Sequence, residues 1–250
     1  MKSPTLDDRQ RVSQRPGDSV VMYQKWKDLL FLHWEVDSAK IQSTLPDGLT
    51  VDLHEGKSYL GLVPFYMREI RPRFLPTVPG ISNFLEMNVR TYVHDRHGNP
   101  GVWFYSLDAN QSLAVALARR FFHLPYFRAE MTASQDSGMI DYTSRRKNVS
   151  ADISEFRYQG AAKMDTPTPG SLEYFLLERY LLFAHDKTRD RLLCGQVHHT
   201  PYPVHEAEVE AFSPVAMAQA GFDVGQDPPV HAAFSPGVSV EIFGIKTVAL

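Results

Sequence analysis

Cysteine is almost missing from this chain: Cys194 is the single one among 250 residues. One thiol makes no disulfide within a chain and no cysteine-based zinc centre, and its scarcity suits a reducing compartment, so a cytoplasmic location is expected. No apolar run approaches the roughly 18 residues that a membrane-spanning helix needs. The first 22 residues are polar around Asp7, Asp8, Arg9, Arg11 and Arg15 and lack the apolar centre of a signal peptide, so they read as a loose N-terminal tail. Basic charge is not in excess either. A formal net charge of -3 gives no field for nucleic acid. There is no Gly-x-Gly-x-x-Gly, no P-loop and no Gly-x-Ser-x-Gly elbow, and His205-Glu206 opens a zinc-protease motif whose second histidine is missing. The simplest dinucleotide, nucleotide-phosphate, hydrolase and zincin chemistries therefore lose their basis. Neither a cofactor nor a metal is expected.

What is present is a chain able to pack: 43% of its residues are hydrophobic and 22% charged. The apolar run 27–36 reads as a buried strand. Asp37 is placed to cap a short helix that Pro46 ends. Segments 49–54 and 58–68 flank Glu55-Gly56-Lys57 and read as a hairpin. Three prolines make 71–79 a loop. Segments 85–94 and 101–108 form a second hairpin. Residues 111–122 form a helix with Leu113, Ala114, Leu117, Ala118 and Phe121 as its apolar stripe. Further strands are expected near 127–133, 139–146, 151–158, 180–185, 191–199, 204–212, 230–234 and 238–246. Short helices are expected after Ser171 and before Gly221. Many strands with few, irregularly placed helices predict one β-rich α+β domain over residues 23–250, not a doubly wound nucleotide-binding sheet. Asn148-Val149-Ser150 matches a glycosylation sequon, which without secretion is coincidental.

Glu86, Asn88, Arg90 and Tyr92 share one face of a strand whose other face is apolar. Two readings stay open. The row faces water, as one side of an antiparallel sheet commonly does. Or it lines an interior, where a carboxylate and a guanidinium can hold a ligand and Glu86 can move a proton if burial raises its pKa. Arg119 and Arg120 close a helix, where they complement its dipole. They also suit carboxylate recognition, as does the Arg145-Arg146 pair. His198 and His199 point to opposite faces of a strand and cannot easily share a metal, and His33 reads as a hydrogen-bonded core residue. None of the lysines lies in an apolar run that would depress its pKa, so none stands out as an imine former.

Taken together, Leu30-Phe31-Leu32-His33-Trp34, Leu60-Gly61-Leu62-Val63-Pro64-Phe65, Asn88-Val89-Arg90-Thr91-Tyr92-Val93 and Tyr142-Thr143-Ser144-Arg145-Arg146 resemble the uncharacterised YqjF-like family, as does Ser235-Pro236-Gly237-Val238. The resemblance covers about Trp26 to Phe243. That family is similar in fold to the acetoacetate decarboxylase superfamily. The implied fold is a closed antiparallel β-barrel or cone with flanking short helices and a central pocket. Phe84-Leu85-Glu86 is similar to the decarboxylase aromatic-x-Glu strand. Arg119 or Arg120 is similar to the arginine before the lysine turn. The Schiff-base lysine position falls on Tyr126 or Phe127, and neither forms an imine.

The resemblance and the residues together lead to an expected function. A small anionic or carbonyl compound is bound in a central pocket by Arg90, Arg119, Ser106, Asp108, Arg145 and Arg146, with Glu86 and Tyr126 as proton-moving groups. Decarboxylation through an imine is not expected. The alternatives are a non-catalytic sensor or interaction domain, and a lysine enzyme using a displaced residue such as Lys147. Fold likeness alone does not decide among them.

Overall fold

The computed structural model describes residues 2–147, 149 and 151–248. Asn148 and Ser150 of the sequon lie outside them, as do the side chains of Ala114, Leu117, Ala118 and Phe121. The expected loose tail is instead a helix, α1 (Leu6–Ser13), started by a Thr5–Asp8 capping box. Its charges are what dock it: Arg9 donates to both carboxylate oxygens of Asp52, at 2.7 and 2.8 Å. Just beyond it, Arg15 pairs with Glu241.

The strand expected at 27–36 begins earlier, as β1 (Val20–Glu35). Asp37 caps α2 (Ser38–Gln42) through Ala39 N. Then come β2 (Leu49–Val51), β3 (Tyr59–Pro72), β4 (Phe84–Asp95) and β5 (Pro100–Ala109). The hairpin expected between 49–54 and 58–68 does not form; among the described residues a single isolated bridge, His54–Lys57, spans the turn. β3 is already paired on both edges, with β1 and β4. It leaves β4 at Thr91, and β2 takes over that edge of β4 from Val93 to Asp95.

Helix α3 (Ser112–Phe122) follows as expected and carries the chain across to β6 (Tyr126–Asp136), which therefore pairs parallel to β5. Next are β7 (Met139–Arg146), β8 (Ser154–Lys163) and α4 (Leu172–Leu177), then β9 (Leu181–Asp186), β10 (Arg191–His198) and β11 (His205–Ala211). Last come α5 (Val215–Gln219), β12 (His231–Phe243) and β13 (Lys246–Thr247). The two strands expected at 230–234 and 238–246 are one strand. Ser235-Pro236-Gly237 bends it against β1 without ending it, with Gly237 at φ 122°.

Strand pairing closes two rings that share a wall. The larger runs β5-β6-β7-β8-β11-β12-β1-β3-β4 and back to β5. The smaller runs β5-β9-β10-β12-β1-β3-β4, closed through the β10–β12 pairing, with β5–β9 also parallel. The architecture is thus the expected closed, β-rich barrel with short helices, antiparallel except where β5 meets β6 and β9. The shared strands have apolar side chains on both faces. Leu30 and Leu32 of β1 enter the core of the larger ring with Tyr142, Phe156 and Tyr158. Leu29 and Phe31 enter that of the smaller. This is why β1 reads as an unbroken apolar run.

At Gly237 a β-carbon would lie 2.0 Å from the Trp26 carbonyl oxygen, in a backbone region that side chains avoid. Gly237→Ala is expected to destabilise the fold by at least about 2 kcal/mol, read as a lower urea midpoint with an unchanged slope.

Candidate active site in the smaller ring

All of β4 is buried. Leu85, Met87 and Val89 face the packed interior of the larger ring. By alternation the polar row faces the smaller ring, so it is not a solvent face. There, Glu86 and Arg90 line a cavity of about 460 Å³. Its wall is mostly apolar, including Trp26, Phe84, Phe104, Leu107, Leu124 and Leu182, and its other polar members include Gln24, Tyr126, Arg179 and Tyr202. The expected pocket therefore lies in the smaller ring, while the middle of the larger one is filled.

Tyr126 opens β6 directly after the Leu124-Pro125 turn, and its hydroxyl donates to Glu86 Oε2 at 2.8 Å. Burial pushes the Glu86 carboxyl up to about 8; the Tyr126 hydrogen bond opposes this and the charge of Asp108 adds to it. Burial also drives the Tyr126 phenol well above its usual value, reinforced by Glu86. At neutral pH the site therefore holds a neutral carboxyl and a neutral phenol in contact. Such a pair can donate a proton or a hydrogen bond to a developing oxyanion.

Arg90 is 8% exposed. Its Nη2 donates to the Leu176 carbonyl at 3.2 Å, while Nε has no acceptor among the described residues. Arg179, also buried, gives Nη1 to Asp52 at 2.7 Å, and its Nη2 is without an acceptor among the described residues. Both guanidiniums stand beside the Tyr92 ring. The Tyr92 hydroxyl is 2.6 Å from His33 Nε2, and His33 Nδ1 is 2.9 Å from His231 Nδ1, so His33 is the hydrogen-bonded core residue expected.

The other expected site residues are not brought into the cavity. Arg119 is exposed; its Nε donates to the Tyr126 carbonyl at 2.6 Å and so braces the turn. Asp108 and Arg146 form a buried ion pair at 2.8 Å, with Arg146 4.1 Å from the Phe127 ring centre. Ser106 is buried outside the lining, with no partner for its hydroxyl among the described residues. Arg145 points the opposite way from Arg146, to a surface pair with Glu130, because adjacent strand residues alternate in direction. Lys147 also pairs with Glu130 at the surface. Among the described lining residues none is a lysine.

Sequence reasoning missed Arg179 and Tyr202. Arg179 lies just past the end of α4, in a stretch with no periodic pattern to mark it. It also missed the rim. Leu75, Val78 and Ile81 of the proline-rich segment line the cavity mouth while remaining exposed, as does Leu113, the first residue of the expected apolar stripe.

The profile of the family DUF2071, described as an uncharacterized conserved protein, matches residues 23–239. The chain belongs to that family. This DUF2071 protein is 38% identical to the uncharacterized protein YqjF of Bacillus subtilis over 219 residues, which is 87% of this chain and 89% of the Bacillus protein. In structure it resembles the acetoacetate decarboxylase of Legionella pneumophila, with a TM-score of 0.64 at 13% identity, covering 100% of this chain and 92% of that one. It also resembles the enduracididine biosynthesis enzyme MppR complexed with pyruvate, with a TM-score of 0.62 at 14% identity, over 94% and 93% of the two chains. An acetoacetate decarboxylase-like enzyme from Sphingomonas wittichii matches with a TM-score of 0.62 at 15% identity, over 92% and 94%. These neighbours share the fold. Among the described residues, no helix is long and apolar enough to cross a membrane.

The raised carboxyl has a thermodynamic consequence. Between the ordinary value of 4.5 and the folded value of about 8, the folded protein holds a proton that the unfolded chain has released. Stability contributed by Glu86 is therefore full below about pH 4.5 and declines as pH rises towards 8, by up to a few kcal/mol. Glu86→Gln should remove this decline. Urea unfolding at pH 5 and pH 8 is expected to show the variant gaining stability relative to wild type at the higher pH.

Proposed function

We propose that the cavity binds a small anionic carbonyl compound, with its carboxylate at Arg90 and its carbonyl oxygen at the Glu86–Tyr126 pair. One observation carries this reading: a buried guanidinium whose Nε has no acceptor among the described residues shares a largely apolar cavity with a carboxyl that burial keeps protonated. A buried donor without an acceptor costs about 1–3 kcal/mol, more if charged, and a bound carboxylate removes that cost. The protonated Glu86 donates to the carbonyl oxygen and, if the ligand is turned over, supplies a proton to the oxygen as negative charge develops on it.

In this reading the protein does not decarboxylate through an imine. That route needs a primary amine to condense with the carbonyl and a protonated nitrogen to accept the electrons left by carbon dioxide. The residue at the turn beside Glu86 is Tyr126, whose phenol forms no imine. A cytoplasmic setting belongs to the same reading and fits the single thiol, Cys194, which burial raises to about 12 and makes unreactive.

The test is thermal stability against pyruvate, acetoacetate, 2-hydroxy acids and short dicarboxylates. At one hundred times its Kd a ligand adds about 2.7 kcal/mol. The shift is expected in wild type at pH 6.5 and to weaken as Glu86 ionises above about pH 8; it should be lost in Arg90→Met, and in Glu86→Gln, whose neutral amide still donates, it should persist without the weakening at high pH. A folded protein that shifts with none of these acids, nor with longer ones, would sink the proposal.

A further inference from the structure

The cavity has two chemically unlike ends. Phe84, where the proline-rich segment feeds into β4, is buried in the cavity wall; Glu86 follows two residues later and Arg90 four beyond that. Four strand residues span about 13 Å. At this inner end, Arg90 Nε and Arg179 Nη2 both lack acceptors among the described residues. A planar carboxylate offers lone pairs for two such donors.

The outer end has the opposite character. Leu75, Val78, Ile81 and Leu113 line the mouth yet are exposed, and Phe74 beside Leu75 is 86% exposed. Single exposed apolar side chains need no explanation, but four lining one cavity, with Phe74 next to one of them in sequence, do. The segment that carries Phe74, Leu75, Val78 and Ile81 is held in place: Gln111 Nε2 donates to the Gly80 carbonyl at 2.5 Å, and Val78 N to Ser82 Oγ at 2.7 Å.

We infer that the ligand is amphiphilic: a carboxylate with an apolar chain or ring of on the order of six to ten carbons. Its carboxylate meets Arg90 and Arg179, and its tail runs past Glu86 to the rim. This rests on reading the cavity as an anion site and adds the tail. At roughly 30 Å³ per water-sized group, the 460 Å³ cavity takes on the order of fifteen heavy atoms. A three-carbon acid would leave most of the apolar wall against water, whereas a medium-length chain covers it.

The experiment is isothermal titration of the full chain with acetate, butyrate, hexanoate, octanoate and decanoate, and with methyl octanoate. Kd is expected to fall about fourfold for each added methylene until the cavity is full. Methyl octanoate should bind at least about tenfold more weakly than octanoate, because it brings no charge to Arg90. The exposed-site change Val78→Asp should flatten the gain with chain length, and Arg90→Lys should weaken every acid by a similar factor. Acids that bind with no gain from acetate to hexanoate would overturn the tail and leave the anion site standing. An undiminished gain in Val78→Asp would overturn the placement of the tail at the rim. Absence of binding at every length would remove both readings.

Discussion

The burial of β4 on both faces governs this structure. A strand that is a wall between two rings meets side chains on each side and no bulk water. Its apolar row then has a simple fate in the core of the larger ring. Its polar row does not, because buried polar groups must find partners or change their ionisation. The row meets that demand in several ways. Tyr92 bonds to His33. Glu86 keeps its proton and accepts from Tyr126. Arg90 is left partly unsatisfied. Among the described residues Arg90 Nε is one of several buried polar atoms without a partner, and it belongs to a side chain that lines the cavity, which connects fold to function.

The groups around the row hold it still. Asp108 and Arg146 make a buried ion pair beneath Phe127, and Arg119 fixes the Tyr126 carbonyl from outside. Neither contact enters the cavity, but both restrain the short turn that aims Tyr126 at Glu86. A buried pair of this kind contributes little net stability, because desolvation offsets attraction, yet losing one partner is costly. On the opposite side, Asp52 accepts from both Arg9 and Arg179. The N-terminal helix is thereby tied by a single carboxylate to a guanidinium in the cavity wall. Burial lowers Arg179 to about 10 against the pull of Asp52, so it stays charged at neutral pH.

Much of the architecture was legible because strands with one apolar face repeat every two residues. Segment 85–94 shows that pattern plainly, as do 101–108 and 139–146. The caps at Asp37 and Ser171 act locally, and local signals survive in a linear sequence. The hairpin expected around Gly56 failed because both edges of β3 are taken, one by β1, which is distant in sequence, and the other by β4, the strand that follows. Gly237 looked like a strand end because a glycine after proline usually is one, whereas here it lets β12 bend tightly over Trp26.

For the site, the sequence alone determined that Glu86, Arg90 and Tyr92 share a face and that Arg145 and Arg146 do not. Those relations follow from backbone geometry within one strand. It also determined family membership, which rests on residue identities. Only the tertiary structure decided that the polar row is enclosed, that Tyr126 and not Phe127 turns towards Glu86, and that Arg119, Asp108 and Arg146 brace the wall from outside. Enclosure depends on the β4–β5 and β10–β12 pairings that close the rings, and those join residues far apart in the chain. A carboxyl near an apolar wall keeps its proton only once that wall surrounds it, and no single strand can supply the surroundings.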